Sequence, residues 1–338
     1  MRVAFVSQLP FSLAFGGLEI QVLETARALR NLGVEVELLD PWRPDFAADL
    51  LHCFGSEYQL TEIVVRAKGR GTPVVVSAIF GPKAPPWAYL GWRWVDPLIP
   101  MQTTFRLRRR ILHSADTVIV HSRAEARDLV KFFGISRERI DVIPNGVREL
   151  AGQHSEDFLP GYGTGPFALC VASIEKRKNQ LRLIEALRDT SIPLVLIGAI
   201  RPDERHYGEV VARAVHANNN VVWIDALPAD SPLLASAYRA AHVHVLVSLS
   251  EVQGMASLEA AAAGANLVMS NLPYLRELFG DCAWYCNPRS VTSIRKAILD
   301  AWRAPRGVRY TTRPSWLISW DEVARRLRDV YGKVLRGS

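Results

Sequence analysis

The chain has 338 residues, of which 49% are hydrophobic, and a formal net charge of +7. This length and composition favour two globular domains, each with its own core. The start has no signal-peptide pattern, and no run of about 20 apolar residues could span a bilayer. We therefore expect a cytoplasmic protein that can also associate peripherally with the inner face of the cell membrane.

The four cysteines are too dispersed for a metal site or a disulfide framework. They form no CxxC pair and no Cys/His set with zinc spacing, and they are Cys53, Cys170, Cys282 and Cys286. This spacing predicts reduced thiols that are mostly packed in the interior.

The first half of the chain alternates short apolar strands with amphipathic helices. The strands are "RVAFVS", "VEVELLD", "PVVVSAIF" and "TVIVHS", and two of the helices are "EIQVLETARALRNLG" and "RAEARDLVKFFG". This alternation predicts a parallel sheet covered by helices. Gly16 and Gly17 follow the first strand, at a turn where the backbone can approach a phosphate closely, although the pattern is not GxGxxG.

Residues 81–113 combine aromatic and basic side chains. The aromatic residues are Trp87, Tyr89, Trp92 and Trp94, and the arginines of 105–113 are Arg106, Arg108, Arg109 and Arg110. The rings could stack on a sugar, lie at a membrane interface or pack in the core. The basic segment is either a solvated helix face or a surface for a phosphate-bearing acceptor or anionic lipid. Nucleic acid is not expected, because no nucleic-acid-binding motif accompanies the charge.

The alternating pattern stops at "AGQHSEDFLPGYGTGP" and then begins again. We place the domain boundary there, with one domain over residues 1–160 and a second over 165–315. The later strands are "FALCVAS", "PLVLIG", "NVVWID", "VHVLVS" and "NLVMS". The prediction is an α/β protein with two tandem Rossmann-like, doubly wound parallel-sheet domains, and a ligand between them at the carboxyl ends of the strands.

The stretch "LSEVQGMASLEAAAAG" predicts a helix that begins after Gly254. The free N–H groups and dipole of a helix start suit a phosphate, to which Ser257 could add a hydroxyl. Glu259 can reach a ribose hydroxyl, and Glu251 can hold a hexose, so one nucleotide-sugar would touch all these features. The alternative is an ordinary turn followed by an ordinary helix.

A second cationic loop is predicted at the same edge of the sheet. Arg177 and Lys178 in "IEKRKNQLRLIEAL" follow the first strand of the second domain. Two cations there would neutralise a diphosphate leaving group. The alternative, a solvated helix start, is weakened because cations are not preferred at a helix N-terminus.

Together these segments resemble the family 4 glycosyltransferases of the GT-B fold over nearly the whole chain. The resemblance is carried by "GGLEIQVLETARALRNLGVEVELL", "ADTVIVHSRAEARDLVKFFGI", "IDVIPNGV", "VASIEKRKNQLRLIEAL", "SEVQGMASLEAAAAGANLVMSN" and "WDEVARRLRDVYGKVL". It implies that Glu251 and Glu259 form the family's E-x7-E motif, with Glu251 near the donor sugar and Glu259 on the ribose.

The resemblance also implies roles for three backbone segments and two cations. It assigns Arg177 and Lys178 to the diphosphate of the donor, which is a UDP- or GDP-sugar. The residues whose backbone it places on the same phosphates are Gly254, Met255 and Ala256. The Gly16–Gly17 loop would lie at the donor–acceptor junction, and the helix over residues 320–338 would pack back on the first domain.

Three positions depart from the family pattern. Ile79 or Phe80 stands where a histidine facing the acceptor is common, and Ser173 stands where an arginine is usual. The sequence "EVQGMA" replaces the common "EGFGLP". We expect altered acceptor contacts and a weaker hold on the phosphates.

The resemblance implies a metal-independent, retaining hexosyltransferase without a cofactor, which acts on a saccharide or lipid-linked glycan in polysaccharide or glycoconjugate synthesis. The absence of an Asp-x-Asp motif agrees with metal independence. The alternatives are a non-catalytic nucleotide-sugar-binding subunit and a sugar-nucleotide epimerase. A nicotinamide dehydrogenase is disfavoured, because the first turn lacks GxGxxG.

Overall fold

The structure is a computed structural model that describes residues 1–12, 16–43, 45–82, 84–148, 165–310 and 312–337. The chain divides into two compact units, one of Met1–Gly146 with Ile318–Ser338 and one of Val147–Leu317. The predicted boundary segment over residues 151–166 lies outside the described residues except for its last two positions.

The first unit is built on a parallel sheet with the strand order β2-β1-β3-β4-β5-β6 among its described residues. The strands are β1 (Arg2–Ser7), β2 (Glu35–Leu38), β3 (Leu50–Phe54), β4 (Val74–Ser77), β5 (Thr117–Val120) and β6 (Ile140–Val142). The central strands β3 and β4 are buried at every position. Burial on both faces explains their continuous apolar sequence.

Helices cover this sheet and bring in the end of the chain. They are α1 (Gly17–Asn31), α2 (Thr61–Gly69), α3 (Pro86–Val95), α4 (Thr104–Ser114), α5 (Arg123–Phe133) and α12 (Trp320–Arg336). Helix α12 begins at an N-cap, Ser319, whose hydroxyl accepts a hydrogen bond from the N–H of Glu322. It packs against α1, and its Tyr331 hydroxyl lies 2.6 Å from Nδ1 of His52 in β3.

Two features fix the position of α12 in the first unit. A Cβ placed on Gly146 would lie 2.6 Å from the backbone nitrogen of Trp320, so only glycine permits this close approach. Burial lowers the pKa of His52 to about 3, and the neutral ring also lies 2.9 Å from the Ser77 hydroxyl. The C-terminal helix is thus tied to the sheet by a buried polar network.

The second unit repeats the parallel arrangement, with the strand order β12-β11-β10-β7-β8-β9 among its described residues. The strands are β7 (Ala168–Val171), β8 (Leu194–Ile197), β9 (Val221–Ile224), β10 (Val243–Leu246), β11 (Asn266–Ser270) and β12 (Ala283–Cys286). The helices are α6 (Gln180–Leu187), α7 (Arg205–His216), α8 (Pro232–Ala240), α9 (Met255–Ala262), α10 (Pro273–Phe279) and α11 (Val291–Arg303). Separate hydrophobic clusters line the two faces of this sheet.

These two parallel sheets with covering helices confirm the predicted α/β class with two Rossmann-like units. Cys53, Cys170 and Cys286 are buried, and Cys282 is half-buried. Within the described part of the chain, each helix is too short or too polar to cross a membrane.

Candidate functional site

The candidate site of the second unit lies where its strand order changes direction. Strand β7 has β8 and β9 on one side and β10 to β12 on the other, so the loops after β7 and β10 leave neighbouring strands. Ligands of doubly wound sheets bind at such a point, at the carboxyl ends of the strands. The two loops are joined by a hydrogen bond of 2.8 Å from the N–H of Leu249 to the carbonyl of Arg177.

Asn179 shapes the loop after β7. It has a φ of +66°, in the left-handed region, and it separates the turn over Lys176–Lys178 from helix α6. Asparagine tolerates this region better than most residues. Its side-chain amide donates to the carbonyls of Val247 at 3.0 Å and Pro288 at 2.8 Å. These bonds hold the loop of Arg177 and Lys178 against the end of β10.

The structure brings together three of the predicted residues: Glu251, Lys178 and Arg177. The ammonium of Lys178 donates to Oε2 of Glu251 at 2.6 Å, and Nη1 of Arg177 lies 3.6 Å from the same oxygen. Burial raises the pKa of Glu251, but the charges of Lys178 and Arg177 outweigh this effect, so the net pKa is lowered. The carboxyl group is therefore ionised at neutral pH.

Arg177 extends this cluster to a second carboxylate. Its Nη2 donates to Oε1 of Glu175 at 2.7 Å, and the Ser173 hydroxyl donates to the same oxygen at 2.9 Å. Arg201, which follows β8, lies 3.5 Å from the other oxygen of Glu175. Three cations and two carboxylates thus line this edge of the sheet. Ser173, at the position where an arginine is usual, takes part in the cluster as a hydrogen-bond donor.

Helix α9 begins beside this charged cluster. Gly254 precedes the helix with a φ of +68°. A Cβ at this position would be 3.0 Å from Cδ2 of Leu246 and 3.7 Å from Cγ of Glu251, so glycine allows both the backbone conformation and the close packing. The first N–H groups of a helix have no intrahelical acceptor, and those of Met255 and Ala256 stand at this position.

The hydroxyl of Ser257 is not exposed at the start of helix α9. Its side chain is fully buried, and its hydroxyl lies 3.4 Å from Nδ1 of His244. Burial, with a further contribution from the charge of Lys178, lowers the pKa of His244 to about 3, so this ring is neutral. The Ser257 hydroxyl is engaged inside the core of the second unit.

Glu259 has a partner that the sequence did not suggest. Its Oε1 accepts a hydrogen bond of 2.7 Å from Nη2 of Arg148, and both side chains are largely buried. Burial raises the pKa of Tyr238 well above its usual value, and the charge of the nearby Glu259 raises it further. Arg148 is 111 positions from Glu259, and no local motif connects the two residues.

Gly16 and Gly17 lie in the first unit, at the start of α1. The N–H of Gly16 donates to Oε2 of Glu19 at 2.7 Å, and Glu19 is itself buried. A carboxylate from the first turn thus caps this helix start. The neighbouring residues 13–15 lie outside the described part of the chain.

Ile79 is one of the two residues, with Phe80, at which the family resemblance places a histidine. It has a φ of +47°, which is a strained conformation for a β-branched residue. The following N–H, of Phe80, donates to Oε1 of the buried Glu125 at 2.7 Å, and the N–H of His121 donates to Oε2 at 2.8 Å. The Gln21 amide lies 3.0 Å from Nε2 of His121. This network holds the loops after β4 and β5 together.

Two of the four arginines in the basic segment are engaged inside the first unit. Arg106 pairs with the buried Asp96 at 3.1 Å. Arg108 pairs with Glu57 and also donates to the carbonyl of Ser56 at 3.2 Å. Arg109 and Arg110 are the more available members of the predicted anion-binding surface.

Within the described ranges there is no cluster of three or more histidine, cysteine, aspartate or glutamate side chains that could hold a metal ion. Metal independence stays a prediction of the sequence resemblance.

Comparison with known proteins gives two family matches. The family described as Glycosyl transferases group 1 matches residues 155–309, and the Glycosyl transferase 4-like domain matches residues 38–146. D-inositol 3-phosphate glycosyltransferase of Xylanimonas cellulosilytica is 24% identical over an alignment 399 positions long, which covers 95% of this chain and 92% of the relative.

Solved structures with the same fold extend over the whole chain. Sucrose-phosphate synthase from Thermosynechococcus elongatus has a TM-score of 0.77 at 18% identity and covers 100% of this chain and 99% of its own. Anabaena Alr3699/HepE in complex with UDP-glucose has a TM-score of 0.74 at 16% identity, with coverages of 98% and 100%. These neighbours confirm the GT-B fold class. Taken with the fold, the two family matches support a group 1 glycosyltransferase family for this chain.

Proposed function

We propose that this chain is a family 4, retaining glycosyltransferase that moves a hexose from a nucleotide-sugar to a saccharide or lipid-linked glycan. The observation that carries the proposal is the cluster of Lys178, Arg177 and Glu251 beside the start of helix α9. This cluster combines two cations, a carboxylate and helix N–H groups that have no intrahelical acceptor, at the switch point of one sheet.

In the proposed complex, the donor diphosphate occupies the start of α9 and meets the two cations. The N–H groups of Met255 and Ala256 would bind phosphate oxygens, with Gly254 allowing close approach. Lys178 would exchange its contact with Glu251 for a contact with the diphosphate. Glu251 would then be free to accept hydrogen bonds from the donor sugar, while Glu259 would accept them from the ribose.

The relatives support this assignment of substrate classes. The solved neighbour from Anabaena holds UDP-glucose, which supports a nucleotide-sugar donor. The Xylanimonas relative is named for a phosphorylated inositol, which supports an acceptor that carries hydroxyl groups and negative charge. Both UDP- and GDP-sugars are candidate donors, and the proposed setting is polysaccharide or glycoconjugate synthesis.

The proposed reaction is a metal-independent substitution in which the acceptor approaches the donor sugar on the same face as the departing diphosphate. The bond between the anomeric carbon and the diphosphate oxygen breaks, and a bond to the acceptor oxygen forms on the same side. The acceptor proton passes to the departing phosphate oxygen. The cations of Arg177 and Lys178 stabilise the charge that develops on the leaving group, which lowers the barrier more than it strengthens ground-state binding.

A non-catalytic nucleotide-sugar-binding subunit is the second candidate. It is favoured by the pair Ile79 and Phe80, because either one puts an apolar residue where an imidazole facing the acceptor is common, and Ile79 is also strained. In this case the second unit would still bind the donor, but no sugar would reach an acceptor.

The deciding experiment incubates the wild-type protein and a Glu259→Gln variant with a panel of UDP- and GDP-sugars and pooled saccharide acceptors. Thermal shift measures donor binding, because a ligand of the folded state raises its stability. Released nucleotide and the NMR coupling constant of the product anomer measure transfer and retention. The proposal predicts wild-type release of nucleotide and an anomer like that of the donor.

Three outcomes would overturn the proposal. Donor binding without consumption would support the non-catalytic subunit, and conversion of the nucleotide-sugar into its epimer would support the epimerase. A product of inverted configuration would exclude retention.

A further inference from the structure

Helix α3 has a mostly apolar sequence, but it is not buried in the core of the first unit. It contains three tryptophans, and none of its ten residues is buried. Trp87 and Trp94 are 75% and 79% exposed, and Leu98 and Met101, just beyond the helix, are 81% and 67% exposed. We call these four side chains the aromatic face. Apolar side chains grouped in this way on a surface indicate a binding region.

The opposite side of α3 is firmly attached to the first unit. The Tyr89 ring stacks on Phe132 of α5 with centroids 4.8 Å apart. The guanidinium of Arg93 donates to the carbonyl of Lys131 at 2.9 Å, near the end of the same helix. Trp87 and Trp94 are spaced i and i+7, which puts them on one side of α3. The unit therefore holds α3 in place with its tryptophans directed outward.

The exposed charged side chains of residues 84–134, which include the aromatic face, are all basic. Residues 84–134 are all described, and none of their four acidic side chains is exposed; these are Asp96, Asp116, Glu125 and Asp128. On α5, which packs beside α3, the basic residues Arg123, Arg127 and Lys131 are exposed and recur every fourth position. Positions four apart lie on one helix face. An exposed cationic row thus runs along the helix next to the exposed tryptophans.

We propose that this surface docks the first unit on an anionic lipid membrane. Tryptophan side chains prefer the interface between the headgroups and the acyl chains, and basic side chains are attracted to acidic headgroups. An apolar face accompanied by a basic face is the composition of interfacial helices. In this arrangement Trp87, Trp94 and Leu98 enter the interface while the cations of α5 contact lipid phosphates.

A second copy of the chain fits the same surface less well. Symmetric pairing of two copies brings the same patch of each copy together. The basic rows of the two α5 helices would then approach each other, and like charges across an interface reduce affinity. An acidic membrane instead supplies the opposite charge to every member of the row.

Membrane docking deepens the proposed function, because it gives a location at which a lipid-linked acceptor would be presented. It rests on different residues from the donor cluster, and lipid binding requires no donor and no turnover. A failure of the transfer assay and a failure of the membrane assay are therefore distinguishable.

The test is co-sedimentation of the full chain with phosphatidylcholine vesicles prepared with and without phosphatidylglycerol. We expect wild-type protein to bind the anionic vesicles and to dissociate as salt rises. The double change Trp87→Ser with Trp94→Ser should lower binding at least about tenfold, given the large apolar area of each ring. Changing both Arg123 and Lys131 to serine should lower vesicle binding by roughly 30-fold at low salt, because each basic side chain near the surface contributes about 1 kcal/mol.

The matched control is Trp42→Ser, which removes the 91% exposed tryptophan of the first unit. This variant should bind vesicles as the wild type does. All altered side chains are exposed, so thermal unfolding should be unchanged. Equal binding to neutral and anionic vesicles, or no binding to either, would overturn the proposal. A dimer in sedimentation velocity that the double tryptophan change dissociates, without vesicle binding by the wild type, would assign the surface to self-association.

Discussion

The carboxyl ends of the two sheets are held together in different ways. In the second unit, Lys178 and Arg177 meet Glu251 between the loops after β7 and β10. In the first unit, Glu125 joins the loops after β4 and β5 by accepting hydrogen bonds from two backbone N–H groups. In the second unit, side-chain ion pairs that a charged ligand can exchange are added to the backbone bond from Leu249 to Arg177. In the first unit, the carboxylate of Glu125 is itself the acceptor of the backbone N–H groups.

This difference means that a charged ligand can rearrange the side chains of the second unit's edge, whereas the edge of the first unit depends on a fixed hydrogen-bond acceptor. A diphosphate that competes for the ammonium of Lys178 would release Glu251 without disturbing a backbone hydrogen bond. Removal of the Glu125 carboxylate would leave two buried N–H groups without their acceptor, which costs stability whether or not a ligand is present. Substitutions at the two edges should therefore affect different measurements.

The largest effect is expected for Glu125→Ala, which should destabilise the first unit by about 3–6 kcal/mol. Hydrogen bonds to a charged group contribute about 1.5–3 kcal/mol each, and Glu125 accepts two of them. Urea unfolding measures the change, with Glu62→Ala, at an exposed glutamate of α2, as the control. A loss below about 1 kcal/mol would show that other groups hold these loops, and the contrast between the two edges would be wrong.

At the second edge, Lys178→Ala should lower turnover by about two to three orders of magnitude with a smaller change in donor affinity. This range is typical when one group that stabilises developing charge is removed. The assay is nucleotide release with donor and acceptor, with and without a chelator. Activity that chelation abolishes and magnesium restores would contradict metal independence.

Lys176→Ala is the matched control for this change. Lys176 lies two positions earlier in the same turn, but its side chain is 70% exposed. Its ammonium nitrogen lies 3.9 Å from Oε2 of Glu204. It should retain full turnover and normal unfolding. Equal losses in the two lysine variants would mean that net charge, and not the contact of Lys178 with Glu251, controls the reaction.

The sequence predicted the parts of this contrast that depend on local pattern. Apolar runs and glycine stops indicate most strands of both sheets, but β3, β6 and β12 were not predicted. The loop cations and the helix after Gly254 follow from their places at strand ends. The pairing of Arg148 with Glu259 connects residues 111 positions apart, which a single sequence cannot reveal. The exposure of Trp87 and Trp94 was also left open, because an apolar helix of this length fits a core equally well.

A smaller effect is expected for Glu259→Ala, which should weaken donor binding by about 1.5–3 kcal/mol through loss of a charged acceptor for the ribose hydroxyls. Calorimetry measures the affinity. Glu259→Ala also removes the carboxylate that pairs with Arg148. A parallel Arg148→Met variant therefore measures how much the loss of this ion pair alone changes donor affinity. Unchanged donor affinity in Glu259→Ala would contradict the ribose assignment.

The smallest effects concern Ile79 and Asn179, the non-glycine residues with positive φ in the described part of the chain, one at each edge. Ile79→Gly removes about 1–2 kcal/mol of left-handed strain, but the greater entropy of the unfolded chain costs about 0.5–1 kcal/mol, so stability should rise by up to about 1.5 kcal/mol. Asn179→Gly relieves less strain and loses the amide bonds to Val247 and Pro288, so stability should fall by about 1–2 kcal/mol.

Thermal and urea unfolding of the two glycine variants, measured side by side, decide whether these positive-φ residues differ as proposed. Opposite signs are expected, because Asn179 compensates its conformation with side-chain hydrogen bonds, whereas Ile79 is held by the neighbouring bond from Phe80 to Glu125. Backbone strain that persists without local compensation is typical of functional loops. If Ile79→Gly lowers stability, its side chain supports the fold, and the strain at this edge carries no functional meaning. If stability rises while transfer to the acceptor falls, the strained conformation itself positions the loop that the acceptor contacts.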